Sequence, residues 1–600
     1  MFEIPGMIRR HFLRGFISFT FLSAFLFAGV SLYAQEDSAS LKAWKDQKYS
    51  MFIHFGLYSY LGGVWEGKPV SRGLSEQIQA HAGIYSDTYA NLSKEFNPTK
   101  WNADSVALLA KAAGMRSIVI TSKHHDGFCM FRTATTKFNI VDATPFGRDV
   151  VGELSEACKK YGLKFGLYFS LIDWHFPQAS PISSHNSDYI TPEHHQYNLK
   201  QVRELLTNYG AIAELWFDMG SMSLKESTEM RALVHSLQPN CMIGSRIGND
   251  MGDFTVMGDN QEPDYEIGVP WQSPASFFDE TWGYRSWQVR VPQEEKVKEK
   301  LASLIRVASR GGNFLLNIGP MGDGSVVPYE KEVLLKIGDW LKANGEAIYG
   351  IKADPFHVRF DWGSITSKPG AIYLHVMKMP KDYQIFLPGL KGKVTSAYML
   401  ASGLKCVTKS ASDGLLISLP GSINAQEEIP VIAVKFADGY STPPVNILQL
   451  TKGLVLQSGN AFKSYSNSGI DYNTRFQSTV KESWTLSPVS TKLITPVLTY
   501  SRQELRKEII ININNVPAEV TLQPSDSIVL KENSRPVFKG LYLNGPVYSG
   551  IDNVPNPIRN IDPLKDWPVS KGKKWSTQGS YNNDKIYQLP AGMETAYFAY

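Results

Sequence analysis

Asp218 closes the apolar run Leu215-Trp216-Phe217 and is followed by Gly220, so its carboxylate should emerge where a strand gives way to a loop. A carboxylate in that place can attack an anomeric carbon, or it can simply cap a helix or satisfy a loop. Other polar residues close apolar runs in the same manner. They are His54 in Met51-Phe-Ile-His-Phe-Gly56, His124 and His125 in Thr121-Ser-Lys-His-His-Asp-Gly-Phe128, Tyr168 before Phe169 and Ser170, and Arg246 in Gly244-Ser-Arg246. Neutral imidazole donates at one nitrogen and accepts at the other, which suits sugar hydroxyls. Two adjacent histidines point opposite ways on an extended backbone, whereas in a turn both could reach one ligand. Trp65, Trp216 and Trp282 could stack on a pyranose, and Arg246 and Glu76 could hold its hydroxyls. Singly, each histidine can be a satisfied core residue and each tryptophan plain core. A metal-dependent hydrolase using His124, His125 and His175 is a further reading, but catalytic zinc takes three protein ligands and no His-Glu-x-x-His spacing accompanies the pair, so no metal or other cofactor is expected.

The elements that must position these residues are legible as a βα alternation from about Leu41 to Gly350. Strands are expected at Ser117 to Thr121, Lys164 to Ser170, Ala213 to Asp218, Met242 to Arg246 and Asn313 to Ile318. Amphipathic helices are expected at Ala103 to Ala113, Asp149 to Tyr161, His194 to Tyr209, Lys225 to Leu237, Glu294 to Ala308 and Tyr329 to Ala343. This α/β pattern over roughly 300 residues suits a TIM-like (β/α) barrel, whose active site gathers at the C-terminal ends of the strands. An open doubly wound sheet is the alternative, but no Gly-rich phosphate loop follows a first strand. After Gly350 short alternating strands separated by Gly, Pro and Asp indicate an all-β sandwich, with Ala371 to Met377, Leu415 to Leu419 and Val431 to Phe436 as examples. Ser441-Thr-Pro-Pro444 reads as a linker to a second all-β stretch with strands near Leu493 to Tyr500, Lys507 to Ile513 and Ser527 to Leu530. The expected domains are therefore a signal peptide at 1–34, the catalytic barrel at 35–350, a β-sandwich at 351–440 and an additional C-terminal all-β domain at 441–600. All twelve histidines lie at or before His375, which places the chemistry in the barrel.

Composition narrows the partners. Six hundred residues, 43% hydrophobic and 20% charged, exceed one core and exclude a disordered chain. A net charge of +4 without a basic block makes nucleic acid an unsuitable partner. Arg9, Arg10 and Arg14 precede the apolar run Gly15 to Leu32, and Ala34 precedes Gln35, the pattern of an export signal; an uncleaved membrane anchor is the competing reading. Cleavage would leave no stable membrane insertion. The four scattered cysteines fit buried hydrophobes better than a disulfide framework.

Several ordered strings together resemble the glycoside hydrolase family of retaining α-L-fucosidases, family 29, over roughly residues 41 to 440. They are Met51-Phe-Ile-His-Phe-Gly-Leu-Tyr58, Phe96-Asn-Pro98, Thr121-Ser-Lys-His-His-Asp-Gly-Phe128, Leu215-Trp-Phe-Asp218, Gly258-Asp-Asn260, Thr281-Trp-Gly-Tyr284 and Asn313-Phe-Leu-Leu-Asn-Ile-Gly-Pro320. The resemblance implies a catalytic barrel with a β-sandwich behind it, no metal, a fucosylated glycan as substrate, and export to the periplasm or cell exterior. It implies Asp218 as nucleophile, with His54, His124, His125, Tyr168, Trp216, Arg246 and Trp282 lining the pocket and Glu76 on sugar hydroxyls. A second carboxyl about 5 Å away would protonate the leaving oxygen and later activate water.

Two positions depart from the family pattern. Where a Trp-Glu pair is expected before Thr281-Trp-Gly-Tyr284, and its glutamate is a natural proton donor, this chain has Trp271-Gln272; where tryptophan is expected, it has Gln77. An amide cannot serve as acid. Glu262, Asp264, Glu266 and Glu280 are the candidate replacements, and Glu262 is preferred: it follows Gly258-Asp-Asn260 and lies 44 residues beyond Asp218, a spacing similar to another branch of the family. Nearby Phe254, Tyr265 and Trp271 could raise its pKa. Two functions follow as expectations, an exo-acting hydrolase removing terminal α-L-fucose or a related sugar such as L-galactose, and a carbohydrate-binding protein that has lost proton donation through Gln272.

Overall fold

The computed structural model describes residues 38–71, 73–179, 182, 188–263, 269–356, 360–411, 414–421 and 428–442, and the backbone of strands at 447–448, 462–465, 480–483, 485–486, 508–513 and 516–521. The expected signal peptide, Asp264, Glu266, and the strands near 493–500 and 527–530 lie outside the described residues. The chain divides into two compact units, Met1–Ser38 and Ala39–Tyr600, and the second carries everything that follows.

Eight parallel strands form one curled sheet: β1 (Tyr49–Ile53), β2 (Ser117–Lys123), β3 (Lys164–Ser170), β4 (Glu214–Asp218), β5 (Met242–Ile243), β6 (Thr255–Val256), β7 (Trp271–Ala275) and β8 (Asn313–Ile318). Their lateral order is β5-β4-β3-β2-β1-β8-β7-β6. A parallel bridge from Gly244 to Phe254 brings the two edges together. The strands read as nearly continuous apolar runs because both faces are covered, the inner by the barrel interior and the outer by helices. Six helices flank them: α1 (Ala103–Ala112), α2 (Val150–Tyr161), α3 (Pro192–Asn208), α4 (Leu224–Leu237), α5 (Gln293–Ser309) and α6 (Pro328–Asn344). Their starts are written locally. Asn102, Asp149 and Thr191 each accept a hydrogen bond from an N3 backbone N–H, and Ser223 with Glu226 forms a reciprocal capping box.

Two strands of the barrel sheet have no counterpart among the apolar runs read from the sequence. Thr255–Val256 is too short to show a period, and Trp271–Ala275 holds Gln272, Ser273 and Pro274, which mask it. The strand expected at Met242 to Arg246 ends at Ile243, since Gly244 opens a 3₁₀ turn over Ser245–Ile247. That turn swings Arg246 inward. The connections after β5 and β6 carry no α-helix among the described residues, so two irregular loops border the site there.

Behind the barrel, β9 (Gly363–Lys368), β10 (Ala371–Val376), β12 (Val394–Met399) and β15 (Val431–Phe436) make a four-stranded sheet in the order β9-β10-β15-β12. It faces a three-stranded sheet of β11 (Gln384–Pro388), β14 (Gly414–Ser418) and β13 (Val407–Ala411). Alternation divides β10 and β15 between two cores. Ile372, Leu374, Ile432 and Val434 pack inside the sandwich, while Ala371, Tyr373, Val431 and Ala433 join the barrel core. The Trp340 indole of α6 also donates to the Ile429 carbonyl at 2.9 Å. Each large apolar side chain buried at this seam contributes about 1.5 to 3 kcal/mol, so barrel and sandwich are welded rather than tethered. Beyond residue 442 the described strands pair Ile447–Leu448 with Thr485–Leu486, Phe462–Tyr465 with Val480–Ser483, and Glu508–Ile513 with Val516–Thr521. No helix among the described residues is long and apolar enough to cross a membrane.

Candidate active site

The inward-facing residues at the C-terminal ends of β1 to β4 meet in one cavity. Asp218, the last residue of β4, accepts a hydrogen bond from the Tyr168 hydroxyl at 2.7 Å on one oxygen and from Arg246 Nη1 at 2.7 Å on the other. His125 Nε2 lies 3.9 Å from the same carboxylate. Burial alone would raise the Asp218 pKa, but the Arg246 charge and the Tyr168 hydroxyl outweigh it and hold the carboxyl below its usual range. Asp218 is therefore an anion at neutral pH. The backbone beyond it turns left-handed at Met219 (φ 54°) and Gly220 (φ 89°). A non-glycine residue there costs about 1 to 2 kcal/mol, a strain the surrounding core sustains.

The histidines are neutral and their tautomers can be read. His54 Nδ1 lies 2.6 Å from Asn317 Oδ1, and the Asn317 amide donates to the Trp282 carbonyl at 2.7 Å. A carbonyl only accepts, so the asparagine oxygen must face His54, whose Nδ1 carries the proton and whose Nε2 is the acceptor. Likewise His125 Nδ1 donates to Ser170 Oγ at 2.7 Å, because that hydroxyl gives its own proton to the Ile172 carbonyl at 2.9 Å. Burial lowers the pKa of His54 to about 3 and of His125 to about 4, and drives His124 well below the ordinary value. His124 stacks on Tyr168 with centroids 5.5 Å apart, and Trp282 lies 5.3 Å from His54. Trp216 lies 5.7 Å from Tyr168 and beneath Arg246, whose guanidinium carbon is 4.7 Å from its ring centroid. The aromatic walls and neutral imidazoles form a surface suited to a sugar.

Glu76 comes to this cavity from outside the barrel strands. Its Oε2 accepts from the backbone N–H of Trp282 at 3.1 Å and of Gly283 at 2.8 Å, so it fastens the loop that carries Trp282. Burial raises its pKa to about 7 despite those amides. Gln77 is buried beside it, and Trp65 lies half-buried on a short hairpin. His175 packs against Phe138, with ring centroids 4.1 Å apart. Among the described residues no group of three His, Cys, Asp or Glu side chains could hold a metal ion.

Glu262, the carboxyl preferred from the sequence, is engaged by the outer helix. Glu262 accepts two hydrogen bonds from Arg306 on α5, Nε to Oε2 at 2.5 Å and Nη2 to Oε1 at 3.2 Å, so both its oxygens are engaged with the outer helix. Glu280 is exposed and bonds Gln288. The carboxylate brought beside Asp218 is Asp259, which the expectation passed over although it sits within Gly258-Asp-Asn260. It accepts from Nη2 of Arg246, the guanidinium whose Nη1 holds Asp218. The two nitrogens belong to one planar fork, which keeps the carboxyl oxygens within roughly 7 Å of each other. Asn260 pins this loop. Its N–H donates to the Pro274 carbonyl at 3.0 Å, and its Oδ1 accepts from Ser276 N at 2.7 Å. Gln272 is elsewhere, fully buried in the barrel interior, where its Oε1 accepts from Trp216 Nε1 at 3.0 Å and its Nε2 donates to Glu214 at 3.3 Å.

These buried groups fix how stability depends on pH. Burial raises Glu76, Asp126 and Glu214 to about 7 and Glu330 to about 8, and lowers His54 and His375 to about 3 and His81 and His125 to about 4. A raised carboxyl contributes stability that is full below its unfolded pKa and lost as pH rises through the folded one. A lowered histidine contributes stability that is full above about 6.5 and lost as pH falls. The two sets oppose each other between about pH 4.5 and 6.5. The thermal midpoint should thus be nearly flat there, fall between about pH 6.5 and 8, where the histidines no longer compensate, and fall again from about pH 4.5 down to about 3. A scan from pH 3 to 9 showing a midpoint that climbs between 6.5 and 8 would contradict the assignment.

Comparison with known proteins identifies the family of the chain. A family profile described as Alpha-L-fucosidase matches residues 31–346. Tissue alpha-L-fucosidase of Bos taurus is 30% identical over 414 residues, spanning 64% of this chain and 86% of the relative. Among solved structures, the alpha-L-fucosidase from Vibrio sp. strain EJY3 superposes with a TM-score of 0.64 at 32% identity, covering 69% of this chain and 75% of its own. A trapped covalent intermediate of a family 29 alpha-L-fucosidase from Bacteroides thetaiotaomicron, formed with 2-fluoro-fucosyl fluoride, is 26% identical with a TM-score of 0.61 and covers 66% of this chain and 96% of its own.

Proposed function

Because the chain belongs to the α-L-fucosidase family, we propose that it is an exo-acting retaining glycoside hydrolase that releases terminal α-L-fucose, or a closely related L-sugar, from glycans. The observation that carries this reading is the shared guanidinium: Arg246 holds Asp218 on one nitrogen and Asp259 on the other. A span within roughly 7 Å includes the separation of about 5 to 5.5 Å at which one carboxylate attacks and the other handles the proton. Asp218 attacks the anomeric carbon and forms a glycosyl-enzyme, as the trapped intermediate of the Bacteroides relative illustrates for that protein. Asp259, exposed at the mouth, is the carboxyl placed to handle the proton: in its acid form it serves the leaving oxygen, and as a carboxylate it takes a proton from the incoming water. Nε2 of His54 and of His125 accept sugar hydroxyl protons, while Tyr168 and Arg246 hold Asp218 in line.

The alternative, a binding protein without turnover, drew its support from Gln272; against it speaks the burial of that amide between Trp216 and Glu214. The export expected from Arg9 to Ala34 would put the reaction in the periplasm or outside the cell. Proton NMR of an aryl α-L-fucoside treated with the full chain tests the proposal. The α-anomer of free fucose should appear first, before mutarotation. First release of the β-anomer, or binding without release, would overturn it.

A further inference from the structure

We infer that Gln272 is a positioning residue: with Glu214 it forms a hydrogen-bonded column inside the barrel that sets the plane of the Trp216 indole and, through it, the guanidinium of Arg246. The inference rests on the reading of Asp218 and Arg246 given above. Glu214, Trp216 and Asp218 alternate along β4 and so share its inward face, one above another. Glu214 begins the strand and Asp218 ends it, a climb of about 13 Å at 3.3 Å per residue. Gln272 bonds at the level of Glu214 and Trp216, below the carboxylates.

The column has one order of donors and acceptors. An indole N–H only donates, so the Gln272 oxygen must face Trp216, at 3.0 Å, and its NH₂ must face Glu214 Oε2, at 3.3 Å. A second indole, Trp44 on the N-terminal helix Ala39–Lys45, donates to the same Glu214 oxygen at 2.7 Å and closes the column from below. All four side chains are buried. Leucine at 272 would leave the Trp216 N–H without an acceptor, and a carboxylate there would stand against Glu214 at hydrogen-bonding distance. The first change frees the indole on which Arg246 rests, 4.7 Å from its centroid, and the second displaces the group that accepts from it. Arg246 in turn holds both carboxylates. The amide that reads in the sequence as a lost proton donor is thus a fitted part of this chain's interior.

Three variants of the full chain test the column: Gln272→Leu, Gln272→Glu, and the exchange Glu214→Gln with Gln272→Glu. The exchange restores complementarity, because the 214 amide then donates upward to the 272 carboxylate and accepts from Trp44. Both single variants should lower kcat/KM on an aryl α-L-fucoside by about 10 to 100-fold, chiefly in kcat, and shift the tryptophan emission. The exchange should recover activity and emission to within about threefold of the parent. If Gln272→Leu does not fold, Gln272→Glu against the exchange decides. A folded Gln272→Leu with parental kcat and emission would overturn the inference, as would a folded exchange no better than Gln272→Glu. A parent chain inactive on every fucoside would sink the hydrolase reading instead, while the emission and its recovery would still report on the column.

Discussion

Replacing Asp218 by alanine is expected to lower kcat/KM for an aryl α-L-fucoside by on the order of 10⁴ to 10⁶-fold, the scale of losing a nucleophile. The reason is in the bonding of the wild-type carboxylate. Tyr168 and Arg246 hold it as an anion aimed into the cavity, and no other described carboxylate shares those two donors. Alanine removes the attacking oxygen and opens room beside Arg246, where a small anion can sit. Azide should therefore restore turnover, entering from the face Asp218 occupied and giving β-fucosyl azide with inverted configuration. Cleavage within tenfold of the parent would remove Asp218 from the nucleophile's role.

Asp259→Ala should behave differently in three measurable respects. Hydrolysis of a fucosylated glycan, whose leaving group needs a proton, should fall by about 10² to 10⁴-fold. An aryl fucoside with a leaving group of low pKa should lose much less in its first step, so glycosyl-enzyme accumulates and a burst appears. Azide should then attack that intermediate from the opposite face and yield α-fucosyl azide, with configuration retained. The pair of azide products distinguishes the two carboxylates even where the rate losses overlap. The Glu262→Ala variant is the control, since its carboxylate is occupied by Arg306 outside the cavity. Loss of glycan cleavage in Glu262→Ala with none in Asp259→Ala would return the proton donor's role to Glu262.

The contrast between these two carboxyls shows what can be read from a chain. Asp218 was legible because it ends a regular strand, and a strand's last inward residue has a defined place in a barrel. The helices were legible for a similar reason, with expected ends at most two residues from those observed. Asp259 and Glu262 stand three residues apart on an irregular loop, where spacing carries no direction. Which of them turns inward is decided by Asn260, held by Pro274 and Ser276, and by Arg306 reaching from a helix 44 residues further on.

By itself the sequence determined the barrel, the sandwich behind it, and the cluster of histidines, tyrosine, tryptophans and arginine around Asp218. These follow from local periodicity and from residues at strand ends, and periodicity is a short-range property. Only the tertiary structure decided which carboxylate shares Arg246 with Asp218, the tautomers of His54 and His125, and the burial of Gln272 beneath Trp216. Each of those depends on which distant donor or acceptor arrives at a given atom. Hydrogen bonds between residues far apart in the chain leave no period in the sequence, so the folded backbone alone can choose them.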